Sequence, residues 1–347
     1  KKVKSVNNRT YDEFTAFGAS KTKSEYIGFR DAYYYSGNYN YNLDHSITFG
    51  AEYENDEADL KKTLFRGTET VGAYFDVQNR LTEKLYTTFG MRFDDNEHAG
   101  NEDSHRVSFA YLTGNNNTKI HGTYGTSYRY PSLYENYSED ERNRLFGNFT
   151  TKYQFNKNLS FDGTVRTDMY DFMIEDRIGS GGLETDAYSM EKISLREMNY
   201  EGRATYQTGF SSFNIRGILG GNYMEKTESS SYSATNGGLS LPGFYNLDAS
   251  IDRPSTDTQT SNRAINSVFG QLALDYGGWL YTDFSLRNDV SSTLPTNANS
   301  YTYYSLSNSL VFSELFSIPG ISFGKIRASM AQVGNDTDPY SVALTYS

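Results

Sequence analysis

The sequence predicts an all-β chain: an antiparallel, up-and-down transmembrane β-barrel, or a portion of one, with roughly 14–16 strands. Three observations carry this expectation. Large apolar residues recur at every second position along most of the chain. Short and long connections alternate strictly between these runs. The runs span roughly 9–13 residues, enough for a tilted strand to cross a hydrocarbon core.

Residues of one parity share one face of a strand. Ile47, Phe49, Ala51 and Tyr53 form such a set, as do Val71, Ala73, Phe75 and Val77. Leu85, Thr87, Phe89, Met91 and Phe93 follow, then Val107, Phe109 and Tyr111, then Ile120, Gly122, Tyr124, Thr126 and Tyr128. Phe149, Thr151, Tyr153 and Phe155 precede Leu159, Phe161, Gly163 and Val165. Tyr200, Gly202, Ala204 and Tyr206 precede Phe213, Ile215, Gly217, Leu219, Gly221 and Tyr223. The pattern is plainest in QLALDYGGWLYTDFSLRND, residues 271–289. There Leu272, Leu274, Leu280, Phe284 and Leu286 take one face, Asp275, Asp283 and Arg287 the other, and Gly277-Gly278 the turn. Leu306, Leu310 and Phe312 lead to a last strand expected near Ile321–Val333. Seven hairpins give fourteen strands, and Tyr11–Ser20 adds one or two. No comparable stretch repeats with a helical period.

Short turns are expected at Asn79–Lys84, Gly114–Asn117, Asn156–Asn158, Thr208–Ser212, Gly277–Gly278 and Glu314–Gly320. Longer polar stretches fall at Glu54–Thr70, Asp94–His105, Arg129–Gly147, Asp171–Met198, Met224–Ala264 and Asp289–Tyr301. In a meander, alternate connections lie on opposite rims, so one rim is all short turns and the other all long loops. Outer-membrane barrels have that asymmetry. A soluble β-sandwich or propeller also alternates, but its strands are shorter and its rims are not sorted.

Composition agrees. There are 347 residues with no Cys, which removes disulfides, thiol nucleophiles and Cys-ligated zinc. The balance of 32 Lys plus Arg against 43 Asp plus Glu, net −11, argues against a nucleic-acid partner. Tyr at 31 and Phe at 22 suit strands and apolar–wet boundaries. Mean hydropathy is −0.67, and no 18-residue apolar run exists. Neither excludes a barrel, where only every second residue meets lipid. The chain opens at KKVKSVNNRT without a signal-peptide core, which reads as a mature, excised or partial chain.

No enzyme is expected. His45, His98, His105 and His121 fit no metal-ligand spacing, and GxSxG and P-loop motifs are missing. Asp94, Asp95, Glu97, Glu102 and Asp103 crowd one outer loop, where hard oxygen ligands could hold calcium or simply be solvated. No other cofactor is expected. Asp336 and Asp338 in GNDTDPY pose the same question, with an Asx-turn before Pro339 as the plain answer. Tyr128, Tyr130, Tyr134 and Tyr137 cluster at one rim segment, and Tyr301, Tyr303 and Tyr304 at another. They are candidates for ligand contact or for a boundary girdle. Arg92, Arg166, Asp168, Asp283, Arg287 and Asp289 alternate with the apolar set and are expected to line the lumen as ion pairs.

From about residue 146 the chain resembles the SusC/RagA family of TonB-linked outer-membrane transporters of Bacteroidetes. The matching blocks are SATNGGLSLPGFYNL (233–247), NRAINSVFGQLALDY (262–276), LYTDFSLRNDVSSTLPTNANSYTYYS (280–305) and GKIRASMAQVGNDTDPY (324–340). The family pattern usually has Trp where Val290 stands. Over about 1–145, VGAYFDVQNRLTEKLYTTFGMRFDD (71–95) and TKIHGTYGTSYRYPSLYENY (118–137) resemble TonB-dependent receptors of the vitamin B12 and siderophore type, with a seam near Glu141–Phe146. The resemblance implies an outer-membrane barrel contacting lipid, import of oligosaccharides or peptides, a SusD-like lipoprotein cap, and TonB as energy source. Complete members have a plug domain, a TonB box and about 22 strands. No plug-like segment is recognisable here, and the chain is expected to be a barrel portion. A passive outer-membrane pore and a surface glycan-binding β-protein remain the alternative readings.

Overall fold

The computed structural model describes residues 2–15, 18–60, 64–98, 100–114, 116–128, 130, 141–179, 181, 185–316 and 318–341. Fifteen strands form a single sheet in sequence order, β1 to β15, each antiparallel to the next. They are β1 Lys2–Thr15, β2 Gly18–Asn40, β3 His45–Leu60, β4 Leu64–Arg80, β5 Leu85–Asn96, β6 Gly100–Thr113, β7 Thr118–Tyr128 and β8 Glu141–Gln154. Then come β9 Leu159–Ile178, β10 Ala187–Phe210, β11 Phe213–Leu239, β12 Ser250–Tyr276, β13 Leu280–Ser291, β14 Ser300–Leu310 and β15 Ile326–Ala331. Among the described residues β1 and β15 do not pair, so the sheet is open.

The register joins the alternating runs into two continuous faces. Phe49 lies opposite Gly37 and Phe75, Val77 opposite Phe89, and Phe89 opposite Val107. Further along, Phe149 meets Val165, Val165 meets Tyr200, and Tyr200 meets Tyr223. Leu272 meets Phe284, and Phe284 meets Leu306. Because the side-chain period is two, a one-residue slip anywhere would break this band. The β7–β8 ladder runs unbroken from Thr118↔Tyr153 to Tyr128↔Asn143, so the two stretches of differing resemblance form one sheet.

Burial is inverted relative to a soluble protein. Phe49, Phe89, Phe149, Phe161, Leu219, Val268 and Leu286 are exposed on the apolar face. The opposite face buries Asp162, Thr164, Ser267, Asp289 and Ser291. The one buried apolar cluster described is small: Tyr188, Leu239 and Ala249, flanked by Met190, Tyr245 and Leu247 at the far end of β10–β12. An exposed apolar band of this extent is a surface made for a lipid or protein partner, not for water.

The connections correct part of the sequence reading. One rim has tight turns at 41–44, 81–84, 114 with 116–117, 155–158, 211–212 and 277–279. Gly277 and Gly278 turn the chain with φ of 61° and 74°. The β14–β15 connection on this same rim, 311–325, is long and carries a single helical turn at Phe312–Glu314. On the other rim, most of the expected loops are strand. β3 continues to Leu60 and β4 begins at Leu64, so little of Glu54–Thr70 is loop. Asp94–His105, Asp171–Met198 and Met224–Ala264 are likewise mostly ladder, and β10, β11 and β12 reach 24, 27 and 27 residues. The cause is that the ladder needs only backbone groups and continues where the side chains turn polar. The last strand is correspondingly shorter than expected, Ile326–Ala331.

Candidate functional site: the polar face and its rim

Side chains on the polar face reach across neighbouring strands to form ion pairs. Arg92 on β5 donates to Glu52 at 2.7 Å and, through Nε and Nη2, to both oxygens of Asp94 at 2.7 Å. Arg30 forks onto Asp56 at 2.5 Å, and the Tyr34 hydroxyl donates to Glu54 at 2.5 Å. Arg106 pairs with Asp76 at 2.9 Å. On β8–β10, Arg144 grips Asp168, Arg166 reaches Glu201 at 3.3 Å, and Arg203 holds Asp162 at 2.8 Å. On β12–β14, Arg287 Nε donates to Asp289 at 2.8 Å and Nη2 to Ser267 at 2.8 Å, while Tyr303 donates to Asp289 at 2.7 Å. Charge-assisted bonds of this kind fix a wall in shape.

The chain after β15 folds back over this face. The Asp336 carboxylate accepts from Arg263 on β12, from Ser291 Oγ at 2.5 Å, and from Thr293 Oγ1 at 3.2 Å. Its side chain is 1% exposed. Gly334 sits against the rings of Tyr301 and Tyr303, and a Cβ there would lie 2.4 Å from Tyr301. Residues 334–340 thus form a strap across the polar face near the long rim.

The expected site residues separate accordingly. Arg92, Arg166, Asp168, Arg287 and Asp289 all lie on the polar face in the pairs above. Asp283 is on that face near the turn rim, lining a cavity of about 550 Å³ with Lys157, Arg216, Asp275 and Tyr281. Tyr301 and Tyr303 stack at 6.1 Å on the polar face, whereas Tyr304 opposes Leu286 in the apolar band. Tyr128 and Tyr130 meet edge to face at 4.9 Å, and the Tyr130 hydroxyl donates to Gly100 O at 3.3 Å. Burial first, then Asp94, holds the Tyr130 phenol above its ordinary range. Tyr128 also lines a groove of about 690 Å³ with Asn143, Met169, Asp171 and Arg196. Tyr134 and Tyr137 lie outside the described residues.

The carboxylates proposed for calcium do not converge. Asp94 opposes Glu102 across the β5–β6 ladder, while Asp95 opposes Asn101 and Asp103 opposes Phe93 on the other parity; Glu97 follows the end of β5. Asp94 is already engaged by Arg92. Among the described residues no group of three His, Cys, Asp or Glu side chains could hold a metal. Strand alternation explains this: what reads as a cluster in sequence is dealt to two faces.

Sequence reasoning missed the Arg263–Ser291–Thr293–Asp336 tie. Its members are up to 73 residues apart, and no local pattern links them. It also missed the facing of Lys119 and Lys152 across β7 and β8, which needs the register to be seen.

The fold defines the class: an up-and-down antiparallel wall of the outer-membrane β-barrel type. No protein-family model matches the sequence, and no curated protein matches it. The particular likeness among solved structures is to the RagAB peptide transporter, with a TM-score of 0.54 and 13% identity over 89% of this chain and 37% of that one. The RagAB peptide importer in its "closed-closed" state aligns with a TM-score of 0.52 and 14% identity over 92% of this chain and 37% of that one. The receptor for ferric preacinetobactin from Acinetobacter baumannii aligns over 89% of this chain and 44% of that one, at 10% identity and a TM-score of 0.41, too distant to carry an argument. The chain spans a little over a third of the transporters it aligns with, and at these identities the likeness is one of fold.

Proposed function

We propose that this chain forms barrel wall in a TonB-dependent outer-membrane importer of large polar nutrients, peptides or oligosaccharides. The observation that carries the reading is the unbroken apolar band on one face, backed by an ion-paired polar face. In a bilayer the first meets lipid and the second meets a water-filled passage. The fold likeness to a peptide transporter and the resemblance of four sequence blocks to SusC/RagA importers support it. In this reading a SusD-like lipoprotein covers the long rim, and TonB acts from the turn rim.

The test is uptake by cells whose outer membrane carries the protein, using a labelled decapeptide and labelled maltoheptaose, with TonB present or deleted. TonB-dependent accumulation of either supports the importer. Uptake indifferent to TonB and linear in concentration would replace it with the passive pore. Extraction of the protein into buffer without detergent would replace both with a surface glycan-binding protein.

A further inference from the structure

The polar face is neutralised almost everywhere, which makes one place on it unusual. Lys119 on β7 and Lys152 on β8 sit directly opposite each other. Like charges directly opposed destabilise a sheet. Neither makes an ion pair or hydrogen bond among the described residues, and neither does Arg216 on β11. All three line one cavity of about 240 Å³, close to the tight-turn rim, with His121, Arg203 and Asp162. Its walls hold four Lys or Arg side chains against the single carboxylate of Asp162, which Arg203 already engages at 2.8 Å.

Shortage of acid does not explain this. The chain has 43 Asp and Glu and a net charge of −11. Arg30, Arg92, Arg106, Arg144, Arg166 and Arg287 on the same face each have a carboxylate within reach. Here Lys119 and Lys152 face one another across β7 and β8, while the carboxylate opposite Lys152 on its other side, Asp162, is held by Arg203. Two ammonium groups and a guanidinium along the wall of one cavity suit an oxyanion: the ammoniums act as point charges and the guanidinium, which also borders the neighbouring cavity with Asp275 and Asp283, offers a fork.

We propose that Lys119, Lys152 and Arg216 form an oxyanion site on the polar face, taking a carboxylate or phosphate group between the two lysines. It does not depend on the importer reading: the site is a property of the face whether the wall serves an importer or a pore. An anion placed there converts the repulsion between Lys119 and Lys152 into two attractions. Carboxylates carried by a cargo and free phosphate are the two sources of that chemistry.

The experiment is titration of the 347-residue chain in detergent with inorganic phosphate and separately with succinate, followed by phosphorus-31 line width and by calorimetry. Saturable binding of either, weakened as ionic strength rises, is expected. Lys152→Gln should weaken it by roughly tenfold, the scale of one removed charge near the ligand, and Lys152→Arg should retain it. Phosphate alone would assign a phosphate site, and both ligands a general oxyanion site. No saturable binding of either to the parent chain, or equal binding by Lys152→Gln, would overturn the proposal. A heat-sensitive gel mobility shift, the same in all three proteins, guards against reading misfolding as lost affinity.

Discussion

Replacing Asp336 by Ala removes the anchor of the strap at 334–340. The carboxylate is almost wholly buried and takes hydrogen bonds from Arg263, Ser291 and Thr293. Breaking a buried pair by deleting one partner costs about 3–5 kcal/mol. Arg263 keeps 27% of its side-chain surface exposed and can recover some hydration, which argues for the lower end, about 3 kcal/mol. Its Nε is buried and has no partner, so the loss is not made good from within the site. At about 1.36 kcal/mol per decade, this raises the opening of the strap by roughly 150-fold. The assay is hydrogen–deuterium exchange of the peptide over 332–341, where Gln332 N–H bonds Tyr304 O at 2.9 Å and Ser341 N–H bonds Asp338 O at 3.3 Å. Exchange should accelerate there and not in β5–β8. Asp336→Asn, which keeps the shape and one acceptor, should fall between. Exchange within twofold of the parent in Asp336→Ala would refute the view that this carboxylate holds the strap.

Three other outcomes follow from the same structure. Spin labels at Leu274 and Leu286 should report lipid and one at Asp283 water; the reverse would reject the assignment of faces. Gly50→Ala puts a Cβ 2.4 Å from the Tyr74 ring and should cost about 1–3 kcal/mol, lowering the temperature of the gel mobility shift. Gly217→Ala enters open space and should leave that temperature unchanged, and equal effects at both sites would contradict the packing described. The Tyr130 phenol is held above its ordinary pKa by burial and by Asp94, so the folded rim binds this proton more tightly than the unfolded chain does. Its contribution to stability is therefore complete below about pH 10 and is lost as pH rises beyond it. The 295 nm difference between the parent and Tyr130→Phe should stay flat through the ordinary tyrosine range; a midpoint near pH 10 would show an unperturbed phenol.

How much of this was legible in the sequence depends on which physical interaction leaves a local trace. Facing apolar surroundings on one side only does, because it selects every second residue. Ile47, Phe49, Ala51 and Tyr53 could be placed on one face before their partners Val77, Phe75, Ala73 and Val71 were known. Turns do too, since Gly277 and Gly278 adopt the positive φ that favours glycine. Backbone hydrogen bonding leaves no such trace, so TESSSYSATN (227–236) reads as loop although it is ladder in β11. Contacts between distant residues leave none either. Asp336 looks like any Asp before a proline turn, and its partners stand on β12 and just beyond β13. The acidic run 94–103 shows the converse, where residues close in sequence are dealt by strand alternation to two faces.

The length of β11 and β12 has a consequence for what the wall meets first. Their apolar alternation ends near Tyr223 and Val268, yet their ladder continues to Leu239 and Ser250. At about 3.4 Å per residue, the stretch from Met224 to Leu239 extends roughly 50 Å past the edge of the apolar band. Such a ribbon stands beyond the apolar band as a mast. From Ser250 to Asn262, β12 has passed the end of β13, so its backbone ladder here is to β11 alone and its other edge is unpaired by strand. Pro254 and the charges of Asp252, Arg253 and Asp257 sit along it, the residue types that discourage unwanted strand pairing. Whatever approaches on that side touches a guarded edge tens of ångströms before it reaches the apolar band.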